Sequence, residues 1–102
     1  MDDESLAGVA RALAHPARVR IIKLLSTQTE CRGADVFSEL PLAQSTISEH
    51  LRVLKEAGLV SARPEGTSMV YCVVPGVLDD LATSIREMAE AAPGCLVGKK
   101  GC

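Results

Sequence analysis

Residues 43–60, AQSTISEHLRVLKEAGLV, constrain this chain more than any other stretch. Ile47, Leu51 and Leu54 recur at i, i+4 and i+7, which at about 100° per residue makes one apolar stripe on an otherwise polar helix. The opposite side carries Ser45, Ser48, Glu49 and Arg52, with Lys55 at its edge, while His50 lies nearer the apolar stripe. Thr46 and Glu49 fit the S/T-x-x-E capping box, and Gly58 follows the last periodic residue as a stop signal. Such a helix presses one side on a core and offers the other to a partner, and its N-terminus attracts phosphate.

The neighbouring segments give that helix a context. Residues 34–40, ADVFSEL, read as a second short helix ended by Pro41, so helix, turn and helix follow one another. Downstream, residues 61–74 hold two β-rich runs about a Glu65-Gly66 turn, the second alternating Met69, Tyr71 and Val73 against Val70, Cys72 and Val74. That is a wing beside a helix-turn-helix. Toward the ends, Leu6, Val9, Ala10 and Leu13 repeat with helical spacing before Pro16, and Val77 or Leu78, Leu81, Ile85 and Met88 do so after Pro75.

A length of 102 residues suits one domain whose modest core gains from dimerisation. Phe37 and Tyr71 are the only aromatic residues, too few for the stacking platforms that hold single-stranded nucleic acid, so double-stranded DNA fits better. A net charge of -2 argues against a histone-like, non-specific binder. The charge is unevenly placed: Arg11, Arg18, Arg20, Lys23, Arg52, Lys55 and Arg63 occupy the middle, and Asp2, Asp3, Glu4, Asp79, Asp80, Glu87 and Glu90 lie near the ends. A basic centre permits phosphate contact despite the overall sign. No run of about 18 apolar residues exists to span a membrane and the start, MDDES, is unlike a signal peptide, so the expected location is the cytosol.

Three blocks in order, LAHPARVRIIKLL, AQSTISEHLRVLKEAGLV and EGTSMVYCV, resemble the ArsR/SmtB family of winged-helix repressors, and most of all its arsenic-responsive branch. The resemblance spans roughly residues 5–88. It implies a mainly α fold with a small β-wing: five helices, a two- or three-stranded wing, and a homodimer that binds operator DNA and lets go when an inducer is sensed. The first and last helices would pack on the partner subunit and space two reading helices about one DNA turn, ~34 Å, apart. The folded domain would occupy residues 1–92 and a cysteine-containing tail residues 93–102. By position, Gln44, Ser45, Thr46, Ser48, Glu49 and His50 would lie at the DNA, with Arg52 and Lys55 on the backbone and Arg63, Thr67 and Ser68 on the wing. A carboxylate is repelled by phosphate unless it accepts a hydrogen bond from a cytosine amino group, so Glu49 is read first as a helix cap. For His50, a phosphate contact and a place beside the core stand level.

The inducer is argued from cysteines. Residues 77–92 contain no His, which removes the last-helix zinc or cobalt site of many relatives, and the C-x-C-D pattern of others meets Arg32 and Ala34 here instead of cysteines. Cys31, Cys72, Cys95 and Cys102 remain, in a compartment that keeps thiols reduced, so they read as ligands or redox sensors before structural staples. Thiolates without imidazole suit trivalent arsenic or antimony as inducer, or other soft ions such as cuprous copper, cadmium or mercury. Cys95 and Cys102, in the glycine-containing tail with Lys99 and Lys100 between them, are the first choice of ligands. Cys31 could meet Cys72, because winged helices pair the short strand before the middle helix with the last wing strand, or it could face the last helix and meet Cys95. Cys72 reads first as a small buried hydrophobe and only second as a ligand.

The competing reading is a thiol-based sensor of oxidants or reactive sulfur using a bridge of the Cys31-Cys95 type. A constitutive DNA-binding protein without a ligand is a third. An enzyme is not expected: there is no Ser/His/Asp order, no phosphate-binding glycine loop after a strand and no C-x-x-C.

Overall fold

The computed structural model describes residues 1–27 and 30–94. Helix α1 (Asp3–Leu13) starts at Asp2, whose carboxylate accepts a hydrogen bond of 2.7 Å from the Ser5 N–H, and Asp3 and Glu4 favour its positive end. Helix α2 (Pro16–Ser26) is entered through His15, whose Nδ1 accepts from the Ala17 N–H, with Pro16 at the first helical position, where a missing N–H costs nothing. Strand β1 (Arg32–Gly33) leads into a 3-10 helix (Ala34–Glu39), then helix α3 (Gln44–Glu56), the hairpin β2 (Val60–Glu65) and β3 (Ser68–Val73), and helix α4 (Pro75–Ala91).

Among the described residues four α-helices therefore form where five helices were expected, the fifth being 3-10. Only six residues separate Gly33, which supplies no side-chain cap, from Leu40, held extended ahead of Pro41. That is too short to repay α-helix nucleation, and the tighter turn takes its place. The sheet is three-stranded in the order β1-β3-β2, both pairings antiparallel. Its hairpin closes on the pair Glu65↔Ser68, so the turn residues are Gly66, at φ +64°, and Thr67, one position later than expected.

The core gathers Val9, Ala12, Ile21, Ile22, Leu25, Val36, Phe37, Ile47, Leu51, Leu54, Leu59, Val60 and Leu81. The stripe read from α3 is buried as a unit, with Leu54 at 0 % exposure. On α1 the inward set is Val9 and Ala12, flanked by half-buried Leu6 and Leu13; Ala10 faces solvent, because 3.6 residues per turn bring Ala12 to the seam instead. On α4 only Leu81 is buried. Val77 and Leu78 are half-covered, whereas Ile85 and Met88 are 51 % and 56 % exposed and continue the stripe beyond the protomer's own core.

The end of α3 is fixed by a Schellman motif: Leu59 N–H donates to Leu54 O at 3.0 Å and Gly58 N–H to Lys55 O at 3.0 Å, with Gly58 at φ +81°. Leu54 and Leu59, both fully buried, form its hydrophobic contact, and Val74 N–H then donates to Leu59 O at 2.9 Å, tying the entry of α4 to the exit of α3. Helix α4 ends at Ala91; Cys95 and Cys102, and with them the tail assigned to residues 93–102, lie outside the described residues apart from Pro93 and Gly94.

Candidate nucleic-acid interface and thiol pair

Helix α3 begins at Gln44, two residues before the expected capping box. Its N-cap is Ala43 and no side chain caps it. Thr46 thus sits in the first turn as an exposed side chain, and Glu49 does not reach back to it. The reason is the break at Pro41, which lets the helix start as soon as Ala43 is extended. The first-turn N–H groups are left for an external acceptor, the geometry that favours phosphate.

Gln44, Ser45, Thr46, Ser48, Glu49, Arg52 and Lys55 are all exposed, on the side away from Ile47, Leu51 and Leu54. Glu49 turns along the helix to Arg52. The Arg52 Nε donates to Glu49 Oε2 at 3.0 Å, a second guanidinium nitrogen donates to Glu49 Oε1, and the third to Glu56 Oε1 at 2.7 Å. The Arg52 hydrogen bonds hold the Glu49 carboxyl below its ordinary pKa, and the two carboxylates raise that of Arg52. On the wing, exposed Arg63 approaches Glu65 at 3.5 Å, with Thr67 and Ser68 at the tip.

His50 is the correction on this helix. It is 8 % exposed and turned inward, in the place beside the core rather than on the exposed polar side of α3. Its Nδ1 accepts from Arg18 Nε at 3.3 Å, and its ring lies 4.4 Å from that of His15. Arg18 also donates to Ala12 O at 3.2 Å and Arg11 O at 3.4 Å, so this half-buried cation joins α1, α2 and α3 and is withdrawn from the basic surface read in the sequence. Burial, reinforced by His15 and Arg18 and opposed by Glu49, pushes the His50 pKa down. Sequence reasoning missed this cluster: His15, Arg18 and His50 come together only through the packing of separate helices.

Cys31 and Cys72 form a disulfide across the β1 edge, with their Cα atoms 4.8 Å apart. They continue the register of Arg32↔Tyr71 by one position, directly opposite each other, where antiparallel strands bring side chains closest. Cys72 is half-buried, so it is neither the fully buried hydrophobe weighed for it nor fully open to solvent. No group of three or more His, Cys, Asp or Glu side chains that could hold a metal ion occurs among the described residues. The pair borders a cavity of about 940 Å³ between the end of α2, strand β3 and the start of α4. No helix among the described residues is long and apolar enough to cross a membrane.

Comparison with known proteins agrees with this geometry. Residues 15–62 match the family described as bacterial regulatory protein, arsR family. The HTH-type transcriptional regulator Rv0081 of Mycobacterium tuberculosis is 38% identical over 80 residues, covering 78% of this chain and 70% of its own. A cadmium resistance transcriptional regulatory protein, a CadC homolog of Staphylococcus aureus, is 33% identical over 87 residues, 85% of this chain and 66% of that one. Among solved structures, the homodimeric winged helix-turn-helix DNA-binding domain of Mb0332 from Mycobacterium bovis superposes with a TM-score of 0.67 at 27% identity, covering 93% of this chain and 96% of that one.

Proposed function

The chain belongs to the ArsR family of bacterial regulatory proteins, and from that premise we propose that it is a homodimeric repressor that binds operator DNA through α3 and the wing and releases it when its cysteines meet a thiophilic inducer. Its family consists of transcriptional regulators, not enzymes. The observation that carries the DNA reading is the exposed, uncapped first turn of α3 with Gln44, Ser45, Thr46 and Ser48 around it. Donors and acceptors of that size read base edges in a major groove, while the free N–H groups, Lys55 and the wing's Arg63 meet phosphate. The solvent-facing continuation of the α4 stripe, Ile85 and Met88, supports the dimer, as does the homodimer named for the Mycobacterium bovis domain.

For the inducer, trivalent arsenic or antimony bound by thiolates of Cys95, Cys102, Cys31 and Cys72 is the first reading. The cadmium resistance named for the Staphylococcus aureus relative is in keeping with a soft ion. The second reading is a thiol redox sensor, expected with a bridge of the Cys31-Cys95 type. Cys95 lies outside the described residues, and the bond in the structure joins Cys31 to Cys72 instead, which supports thiol chemistry at Cys31 with that other partner. Fluorescence anisotropy of a duplex from the chain's own upstream promoter tests these readings. Reduced protein should bind it. Near-stoichiometric arsenite should release it, and Cys95→Ser or Cys102→Ser should abolish the release. Release by an oxidant alone, reversed by a reductant, would replace the metalloid with the redox reading, and no binding by reduced protein would remove the repressor.

A further inference from the structure

We propose that the cavity beside Cys31 and Cys72 binds a neutral, apolar organic hydroperoxide, which oxidises the two thiols to the disulfide seen here and thereby weakens operator binding. The regulatory half of this proposal rests on the repressor reading above; the chemistry at the cavity does not.

The argument starts from the wall of the cavity. Leu25, Tyr71, Val73 and Leu78 give it an apolar lining, and at about 940 Å³ it has room for a molecule far larger than hydrogen peroxide. Among the described residues its charged lining is Glu30 and Asp79. An anionic oxidant such as glutathione disulfide would be repelled, and a neutral one would not. Both cysteines lie on this wall, so a guest meets two sulfurs placed opposite each other. The first turn of α4, Pro75 and Gly76, borders the same space, and the positive end of a helix dipole favours thiolate over thiol.

The reaction balances within this site. One thiolate attacks the outer peroxide oxygen, the O–O bond breaks, and the leaving alkoxide takes a proton to become the alcohol. The second thiol then attacks the sulfenic sulfur, the S–S bond forms, and hydroxide departs with the thiol proton as water. The dithiol loses two electrons and two protons, and the hydroperoxide becomes one alcohol and one water. In the product the Cα atoms stand 4.8 Å apart, a separation that suits the bond formed.

The bond also has a route to DNA. Cys31 immediately precedes β1, which runs into the 3-10 helix and so to α3, and Cys72 lies in β3 of the wing. Oxidation therefore fixes the approach to the reading helix against the wing.

The test uses fully reduced full-length protein treated with cumene hydroperoxide or hydrogen peroxide at equal concentration. Peptide mass mapping follows the Cys31–Cys72 cross-link, and anisotropy follows DNA binding in the same samples. Cumene hydroperoxide should form the cross-link about tenfold faster, the advantage of burying roughly two methylenes. Gly76→Phe should bring that ratio toward one by slowing the reaction with cumene hydroperoxide; a Cβ at this position meets no atom within 4 Å. Leu78→Trp, which narrows the lining from the next turn, should act in the same direction. Affinity for DNA should fall at least about fivefold on oxidation, as for a modest allosteric coupling, and Cys72→Ser should abolish that fall. Equal rates for the two peroxides, a ratio indifferent to both cavity variants, or a cross-link through Cys95 or Cys102 would overturn the proposal, and so would full oxidation with unchanged affinity. Failure of the reduced protein to bind DNA would overturn the repressor instead, leaving the cross-linking rates to judge the cavity.

Discussion

Glu49→Gln should make DNA binding tighter at low salt and more sensitive to salt. In the free protein Arg52 spends all three of its nitrogens on Glu49 and Glu56, so this exposed patch of one cation and two carboxylates carries a net charge of 1 − 2 = −1. Replacing Glu49 makes it neutral and frees two of the three nitrogens, and an arginine on the solvent face of a reading helix is within reach of phosphate. Each phosphate neutralised adds about 0.9 to the slope of log affinity against log salt, so two protomers on one site add about 1.8. Between about 50 and 200 mM salt, a fourfold range, the variant should therefore lose about twelvefold more affinity than the parent. Anisotropy titrations across that range measure both slopes. An unchanged slope would mean that Arg52 already leaves its carboxylates on binding. A loss of affinity at low salt would mean that Glu49 accepts a hydrogen bond from a base, and the reasoning would fail.

Three further outcomes are expected. Leu54→Ala, which empties a fully buried position, should destabilise the protein by about 2 to 5 kcal/mol; a urea midpoint that hardly moves would show that the core is not centred there. His50 has its pKa depressed chiefly by burial, so the unfolded chain takes up its proton more readily than the folded one. Stability should then be full above the ordinary histidine value of about 6.5 and decline as pH falls below it toward the lowered folded value, and His50→Gln should flatten that decline in urea melts read by circular dichroism. Ile85→Glu combined with Met88→Glu should shift sedimentation toward the monomer at micromolar concentration while leaving the helical circular dichroism signal intact, because both side chains stand clear of the protomer core.

What the sequence disclosed was what repeats along one helix or one strand. The burial of Ile47, Leu51 and Leu54 follows from their spacing alone, and the stop at Gly58 from a residue that tolerates positive φ. The polar set read from the wheel, Ser45, Ser48, Glu49 and Arg52, falls on the exposed side for the same reason. Relations between elements were hidden. Thr46 and Glu49 match a capping pattern, yet the pattern does not say where the helix begins, and the break at Pro41 lets it begin earlier. His50 sits at the margin of the stripe, where a few degrees decide between solvent and core, and Arg18 from α2 decides it by offering a donor. The 3-10 form of residues 34–39 turns on the energetics of a six-residue segment, to which the apolar pattern is blind. Cys31 and Cys72, 41 residues apart, become neighbours only once the register of β1 on β3 is known.

The middle place of β3 in the sheet has a mechanical consequence. One flank of this strand carries β1, hence the 3-10 helix and the path into α3; the other carries β2 and the wing. A strand bonded on both sides cannot slip toward one neighbour without breaking its ladder with the other, so the two DNA-facing parts are geared to a single shaft. Groove contacts and wing contacts should then engage and disengage in the same step. A titration that removes the protein from DNA ought to show one transition, with no plateau at which the wing has let go and the reading helix still holds.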